Sequence, residues 1–219
     1  MMINDHIEQL MLFMEDVEVD EAVTYLMAIA DEAGFKYVID QILDSFLLQI
    51  GKKWEAGEGI SLTDTYVSSK IVSKFLEKVP SKVVIMDPKR RVILGNIQND
   101  FQSAGRQLVT RFLEMDGWQV IDLGNDVAPE KFFLTAVKEN IRFIGVSAML
   151  YENALHIKAL ASMLNEKMED ESRPYLVVGG AVFTIIPTLV DELNVKYTAM
   201  NAFEAKKLFS DLYEEDNHG

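Results

Sequence analysis

Four short stretches of this 219-residue chain combine residue types that could meet a ligand. The first, Gly95-Asn96-Ile97-Gln98-Asn99-Asp100-Phe101-Gln102-Ser103-Ala104-Gly105, is polar and ends on a glycine. The second is Asp122-Leu123-Gly124-Asn125-Asp126-Val127-Ala128-Pro129-Glu130, the third Ser147-Ala148-Met149-Leu150 and the fourth Val178-Gly179-Gly180-Ala181. Paired glycines remove side chains and let another molecule approach the backbone closely. Each stretch also has a plainer explanation: a glycine after a strand makes a turn, and Ser147 or Asp100 would cap a helix. Several chemistries are excluded. The chain has no cysteine, hence no disulfide, zinc–thiolate site or cysteine nucleophile. The spacing G-x-G-x-x-G is absent, which disfavours a dinucleotide site, and so is the P-loop pattern. The three histidines are His6, His156 and His218. Two lie near the ends of the sequence, and His156, early in the helix after the Ser147 stretch, reads as an exposed helix residue or as one that could reach a ligand at that stretch. No nucleophile–base pair or carboxylate dyad with a defined role is visible, so the chain alone is not expected to complete a reaction.

The elements that position these stretches fall into two halves. From Asp5 to Val79 the apolar residues recur every three or four positions, the signature of a helix face. The clearest run is Phe35, Val38, Ile39, Ile42, Leu43, Phe46, Leu47, Ile50; Asp20–Ala33 and Tyr66–Val79 repeat it, and the segment before Asp16 is a weaker helix. This predicts a bundle of about four helices. The stretch Pro80–Arg91 reads as a linker with a short extended piece at Val83–Met86. From Val92 onward strands alternate with helices. Strands are expected at Val92–Ile97, Trp118–Leu123, Phe143–Ser147, Tyr175–Val178 and Lys196–Ala199. Helices are expected at Gly105–Met115, Pro129–Glu139, Ala154–Met168, Pro187–Leu193 and Ala202–Tyr213. Continuous apolar strands joined by helices imply a parallel sheet covered on both faces. Ligands of such sheets bind beyond the carboxyl ends of the strands, where all four stretches fall.

In that order, the motifs resemble those of the cobalamin-binding proteins related to the cobalamin module of methionine synthase and to the corrinoid proteins of methylotrophic methyltransferases. That family carries Asp-x-His-x-x-Gly, then Ser-x-Leu, then Gly-Gly. The matches here are Asp100-Phe101-Gln102-Ser103-Ala104-Gly105, Ser147-Ala148-Met149 and Gly179-Gly180. Asp122-Leu123-Gly124 with Val127, Pro129 and Glu130, and Trp54-Glu55-Ala56-Gly57-Glu58 in the helical half, extend the resemblance over nearly the whole chain. It implies a helical cap at 1–80, a linker at 81–91 and a cofactor-binding domain at 92–219, Rossmann-like (flavodoxin-like) with a five-stranded parallel sheet. By the same resemblance a corrinoid would send its nucleotide tail into the sheet domain. Gly179 and Gly180 would line the channel, Ser147 would hydrogen-bond the tail's base and Met149 would pack on it. Asp100, Phe101, Gln102, Ser103 and Gly105 would face the lower side of the corrin ring, and Trp54 and Tyr66 would cover the upper side, although Trp54 reads equally well as a core residue of the helical half.

Two departures shape the expectation. Met149 replaces a leucine at nearly constant volume. Gln102 replaces the histidine that coordinates cobalt, and an amide is a weaker donor than imidazole. No protein ligand to cobalt is therefore expected. Asp100 would lose its orienting role and cap the helix at Gly105, and reduction of Co(II) would be easier. Where light-sensing relatives carry a Glu-His pair, this chain has Thr65 and Tyr66. The implied function is a corrinoid methyl carrier working with methyltransferase or reductive-activation subunits. The alternatives are a cobalamin-dependent sensor, or an interaction module that has dropped the cofactor. Composition adds exclusions. The net charge of −14 repels nucleic acid and anionic membranes. No apolar run reaches the roughly 18 residues of a membrane span, and Met1–His6 lacks a basic leader start. A cytoplasmic location is expected, with homo-oligomerisation left open.

Overall fold

The structure is a computed structural model that describes residues 3–79 and 87–218, without the side chains of Trp54, Glu55, Leu62, Phe203 and His218. The chain divides into two compact units, Met1–Ser81 and Lys82–Gly219. The expected extended piece at Val83–Met86 lies outside the described residues.

In the first unit the three-and-four spacing folds as read. Helix α1 (Ile3–Glu15) buries Ile7, Leu10, Met11 and Met14, and α2 (Val19–Ala33) buries Ala22, Val23, Leu26 and Ala30. Gly34, at φ 88°, turns the chain into a continuous helical rod. That rod is not uniform: α3 (Phe35–Tyr37) passes into a π-helical segment, Val38–Leu43, and then α4 (Asp44–Ala56). A π turn is wider than an α turn. The adjacent pairs Val38–Ile39 and Ile42–Leu43 all lie in the core, with no exposed surface left on any of them. Helix α5 (Leu62–Leu76) starts on a capping box. Ser61 Oγ accepts from the Asp64 N–H at 3.2 Å, and Asp64 Oδ2 accepts from the Ser61 N–H at 2.7 Å.

The second unit is a five-stranded parallel sheet in the order β2-β1-β3-β4-β5. The strands are β1 (Arg91–Asn96), β2 (Gln119–Asp122), β3 (Phe143–Ser147), β4 (Tyr175–Gly179) and β5 (Tyr197–Ala199). Side chains alternate between the two faces of a strand. Ile93, Ile144, Val146 and Val178 therefore pack with Phe132 of α7 (Pro129–Glu139) and with Ile157 and Leu160 of α8 (Tyr151–Lys167). Val92, Leu94, Phe143 and Val177 pack on the other side, against Leu113 of α6 (Ala104–Met115) and Phe209 of α11 (Ala202–His218). Both faces are thus covered, as the continuous apolar strands require. Three details depart from the sequence reading. Ile97 lies past the end of β1, in an isolated bridge to Val127. A short helix α9 (Ala181–Ile185) follows the paired glycines, and α10 (Leu189–Glu192) is shorter than the helix expected at Pro187–Leu193. Among the described residues, no helix is long and apolar enough to cross a membrane.

The order places the topological switch between β1 and β3, where the chain's crossovers leave in opposite directions; ligands of such sheets bind beyond the carboxyl ends of the strands at this point. Register aligns Asn96 with Ser147, Ser147 with Gly179 and Gly179 with Ala199. The motif residues of three strands therefore end in one row.

Candidate functional site

The loop after β1 is held by its neighbours on all sides. Asn96, fully buried at the end of the strand, donates from its N–H to the Gly124 carbonyl at 2.9 Å and from Nδ2 to the Gln102 carbonyl at 2.9 Å. The Ile97 N–H donates to the Ser147 carbonyl at 3.0 Å. Two left-handed residues, Asn99 and Asp126, face each other across the β1 and β2 loops. The Asn99 N–H donates to Asp126 Oδ1 at 2.8 Å, and the Asp126 N–H returns a bond to the Asp100 carbonyl at 3.0 Å. Asparagine and aspartate tolerate this backbone region better than most residues.

Asp100 is 2% exposed. It does not cap α6, contrary to the sequence expectation. The N-cap position is Ser103, which makes no side-chain cap bond. Asp100 Oδ1 instead accepts from the Gln102 N–H at 2.9 Å, closing a turn two residues ahead rather than reaching the helix. Burial pushes its carboxyl above the usual carboxylate range. The Gln102 N–H, the Asn96 side chain, the Met149 N–H and the Arg106 charge oppose that rise without cancelling it. No aligned hydrogen bond reaches Oδ2 among the described residues.

The other predicted lower-face residues line the same loop. Phe101 is 64% exposed, and Gln102 is exposed. Ser103 Oγ accepts from Gln107 Nε2 at 3.3 Å. Gly105 has no heavy atom within 4 Å of where a Cβ would stand, although glycine early in a helix weakens it. Nothing inside the described chain requires that glycine. Gly180 is the opposite case: at φ 108° a Cβ there would overlap the Ala148 backbone. Gly179 sits 3.0 Å from the Ala199 carbonyl on the same measure. Close approach of backbone to backbone thus accounts for the glycine pair within the fold itself. Ser147 and Met149 are partly exposed at the end of β3. Ser147 does not cap α8; there Asn153 Oδ1 accepts from the Leu150 N–H at 3.2 Å. Tyr66 lies on α5 of the helical unit, 57% exposed, with Lys70 Nζ 5.2 Å from its ring centre. The Trp54 side chain lies outside the described residues.

Sequence reasoning missed the most heavily bonded side chain of this region. Arg106 is 7% exposed; its Nε donates to Asn96 Oδ1 at 2.6 Å and its Nη2 to Asn125 Oδ1 at 3.0 Å. Nη1 pairs with Asp122 by charge rather than through an aligned hydrogen bond. The available signal was an arginine on the core-facing stripe of α6, between Ala104 and Leu108. His156, early in α8, lies close to the β1 loop, with Nε2 3.5 Å from Asn99 Nδ2. Among the described residues, no cluster of His, Asp and Glu is placed to hold a bare metal ion.

Around this edge, large apolar side chains stay in solvent: Phe101 after β1, Leu150 and Tyr151 after β3, Ile185 after β4 and Met200 after β5. Fold and edge together define a doubly wound α/β protein, a class whose ligands bind at the topological switch point. Comparison with known proteins gives that class its family. Residues 90–206 match the B12 binding domain. Monomethylamine corrinoid protein 1 of Methanosarcina barkeri is 30% identical over 73% of this chain and 74% of its own length. A corrinoid protein of Desulfitobacterium hafniense (strain Y51) is 29% identical over 73% and 74% respectively. The solved Methanosarcina barkeri monomethylamine corrinoid protein superposes with a TM-score of 0.78 at 26% identity, covering 96% of this chain and 100% of that one. A chain of the Methanosarcina barkeri methanol:cobalamin methyltransferase complex shares the fold, with a TM-score of 0.53 at 20% identity over 96% and 80%. The chain belongs to the B12-binding family and is a corrinoid-binding protein. Its own residues fit that group: the flank of Gly105 is open, the Gln102 and Ser147 side chains make no hydrogen bond among the described residues, and apolar surface waits at the rim.

Proposed function

We propose that this chain carries a methyl group on a bound corrinoid and works with separate methyltransferase and reductive-activation subunits. When bound, the corrinoid supplies a cobalt centre able to accept and release a methyl group. The chain's residues bind, orient and shield. The β1 loop, from Asp100 to Gly105, takes the lower side of the ring; Ser147, Met149 and the Gly179–Gly180 backbone take the nucleotide tail. Roles for Trp54 and Tyr66, and the division into a cap at 1–80, a linker at 81–91 and a cofactor domain at 92–219, rest on the resemblance. The carrying observation is the carboxyl edge itself, where register brings Asn96, Ser147 and Gly179 into one row beside the hydrogen-bonded loop from Ile97 to Ser103. The relatives' description as monomethylamine corrinoid proteins supports the methyl-carrier reading.

Gln102 sets the lower face. Its side-chain amide makes no hydrogen bond among the described residues, and a neutral amide would hold cobalt more weakly than imidazole does, so no firm ligand to the metal would come from this position. The experiment is to mix the purified chain with a corrinoid, desalt it and record its visible spectrum. Electron paramagnetic resonance of the Co(II) form follows, then methylation by a methyltransferase and transfer onward. The expected results are a retained corrinoid spectrum, no nitrogen splitting from a protein imidazole, and turnover. A colourless desalted protein would end the corrinoid reading. Imidazole splitting would overturn the assignment of Gln102. A loaded protein that never exchanges methyl groups but changes oligomeric state with ligand or light would be a sensor instead.

A further inference from the structure

The geometry points to Arg106 as the positioning residue that sets the lower-face loop from beneath. Three structural parts meet at its guanidinium: the end of β1 through Asn96, the end of β2 through Asp122 and the following loop through Asn125. Two of those partners pass the constraint on. Asn96 Nδ2 holds the Gln102 carbonyl at 2.9 Å, and Asn125 Nδ2 reaches the Phe101 carbonyl at 3.3 Å. The backbones of the two residues that face the cofactor are therefore each one hydrogen-bonded residue away from one buried cation. A guanidinium offers donors in a fixed planar fork, so it fixes directions as well as distances. Burying a charge is unfavourable unless it is paired and hydrogen-bonded, and here the pairing is spread over three segments, adding to the backbone bonds that already join them. In a chain with Gln102 at the metal position, a cobalt–imidazole bond cannot hold this loop in place. The Arg106 network, with the direct bonds between the β1 and β2 loops, holds it before any cofactor arrives.

This inference rests on the corrinoid reading only for its effect on binding; its effect on the unloaded loop stands apart. The test is Arg106→Lys, which keeps the charge near Asp122 and removes the fork. Amide exchange on the unloaded chain is followed at Asn99, Gln102 and Asp126, whose N–H groups bond within the loops. Exchange there is expected to speed up by about tenfold, the scale of one lost hydrogen bond to a charged group. Amides of Val146 and Val178 should keep their rates. Corrinoid affinity should fall by about tenfold in parallel. Asn125→Ala cuts the Phe101 link without stranding a charge, and it decides the matter if the lysine variant does not fold; the same selective loosening is expected. Unchanged loop exchange in the folded variant would overturn the assignment. Equal acceleration throughout the sheet would also overturn it, by making Arg106 a fold-stability residue. Loosened loop exchange with unaltered corrinoid affinity would remove the link to binding. A wild-type chain that binds no corrinoid defeats the family reading while leaving the exchange result to be judged alone.

Discussion

At the residue scale, Asp100 shows how a motif position keeps its identity after losing a partner. The family to which the sequence is similar has an imidazole two residues later. Here the same carboxylate closes a turn onto the backbone of Gln102 and leaves Oδ2 without an aligned donor. Desolvation raises its pKa, so the folded state favours the protonated acid more than the unfolded chain does. The stabilising contribution is therefore complete below the ordinary value of 3.8 and is lost as pH rises through the raised folded value. Asn imitates the neutral acid and keeps an oxygen to accept from Gln102. Asp100→Asn is expected to match the unloaded wild type in acid and to exceed its stability at neutral pH, with the gap opening across that window. Chemical denaturation at a series of pH values checks this. A variant less stable than wild type at neutral pH would mean that the ionised carboxylate, not the neutral acid, is what the loop requires.

At the element scale, two glycines that look alike in a motif do different work. A methyl group at Gly180 meets the Ala148 backbone and must accept φ 108°, so Gly180→Ala should destabilise the sheet unit by about 3 kcal/mol or more. Gly105 has free space and helical surroundings. Gly105→Ala should stabilise the unloaded chain by about 0.5–1 kcal/mol and, if the proposed lower-face loop meets the corrin ring there, weaken corrinoid retention through the added methyl group. Thermal melts with and without corrinoid separate the two effects; retention unchanged in Gly105→Ala would remove that glycine from the site. The contrast also marks how far the sequence could be read. Strands and helices were legible because their apolar periods are local and the sheet is covered on both faces. The order of the motif loops was legible for the same reason. The π-helical segment was hidden, since its residues fit an α-helical stripe equally well. The Arg106 network was hidden too: it joins positions 96, 106, 122 and 125, and no repeat in the sequence records contacts of that range. The reason for Gly180 needed the β3 and β4 ends side by side, which only their register supplies.

At the scale of the whole molecule, two compact units with separate interiors share one chain of net charge −14. Such a charge discourages polyanions as partners and leaves a ligand to be recognised by shape and local bonding at the carboxyl edge. Binding energy drawn from that edge must then appear as stability of the unit that provides it. A ligand that binds only the folded form adds RT ln(1 + [L]/Kd), about 2.7 kcal/mol at a hundredfold excess over Kd. The slowest-exchanging amides of β1, β3 and β4 report global opening of the sheet unit. They are expected to slow by about a hundredfold under that excess, the same free energy expressed as a population of open molecules. The measurement compares those amides with and without corrinoid at fixed pH and temperature, with α1 and α2 amides followed as a second set. Protection that grows in the sheet places the grip of the cofactor on the carboxyl edge. Protection confined to α1 and α2 would mean that the energy is drawn from the helical unit, and the open flank of Gly105 would then need another explanation.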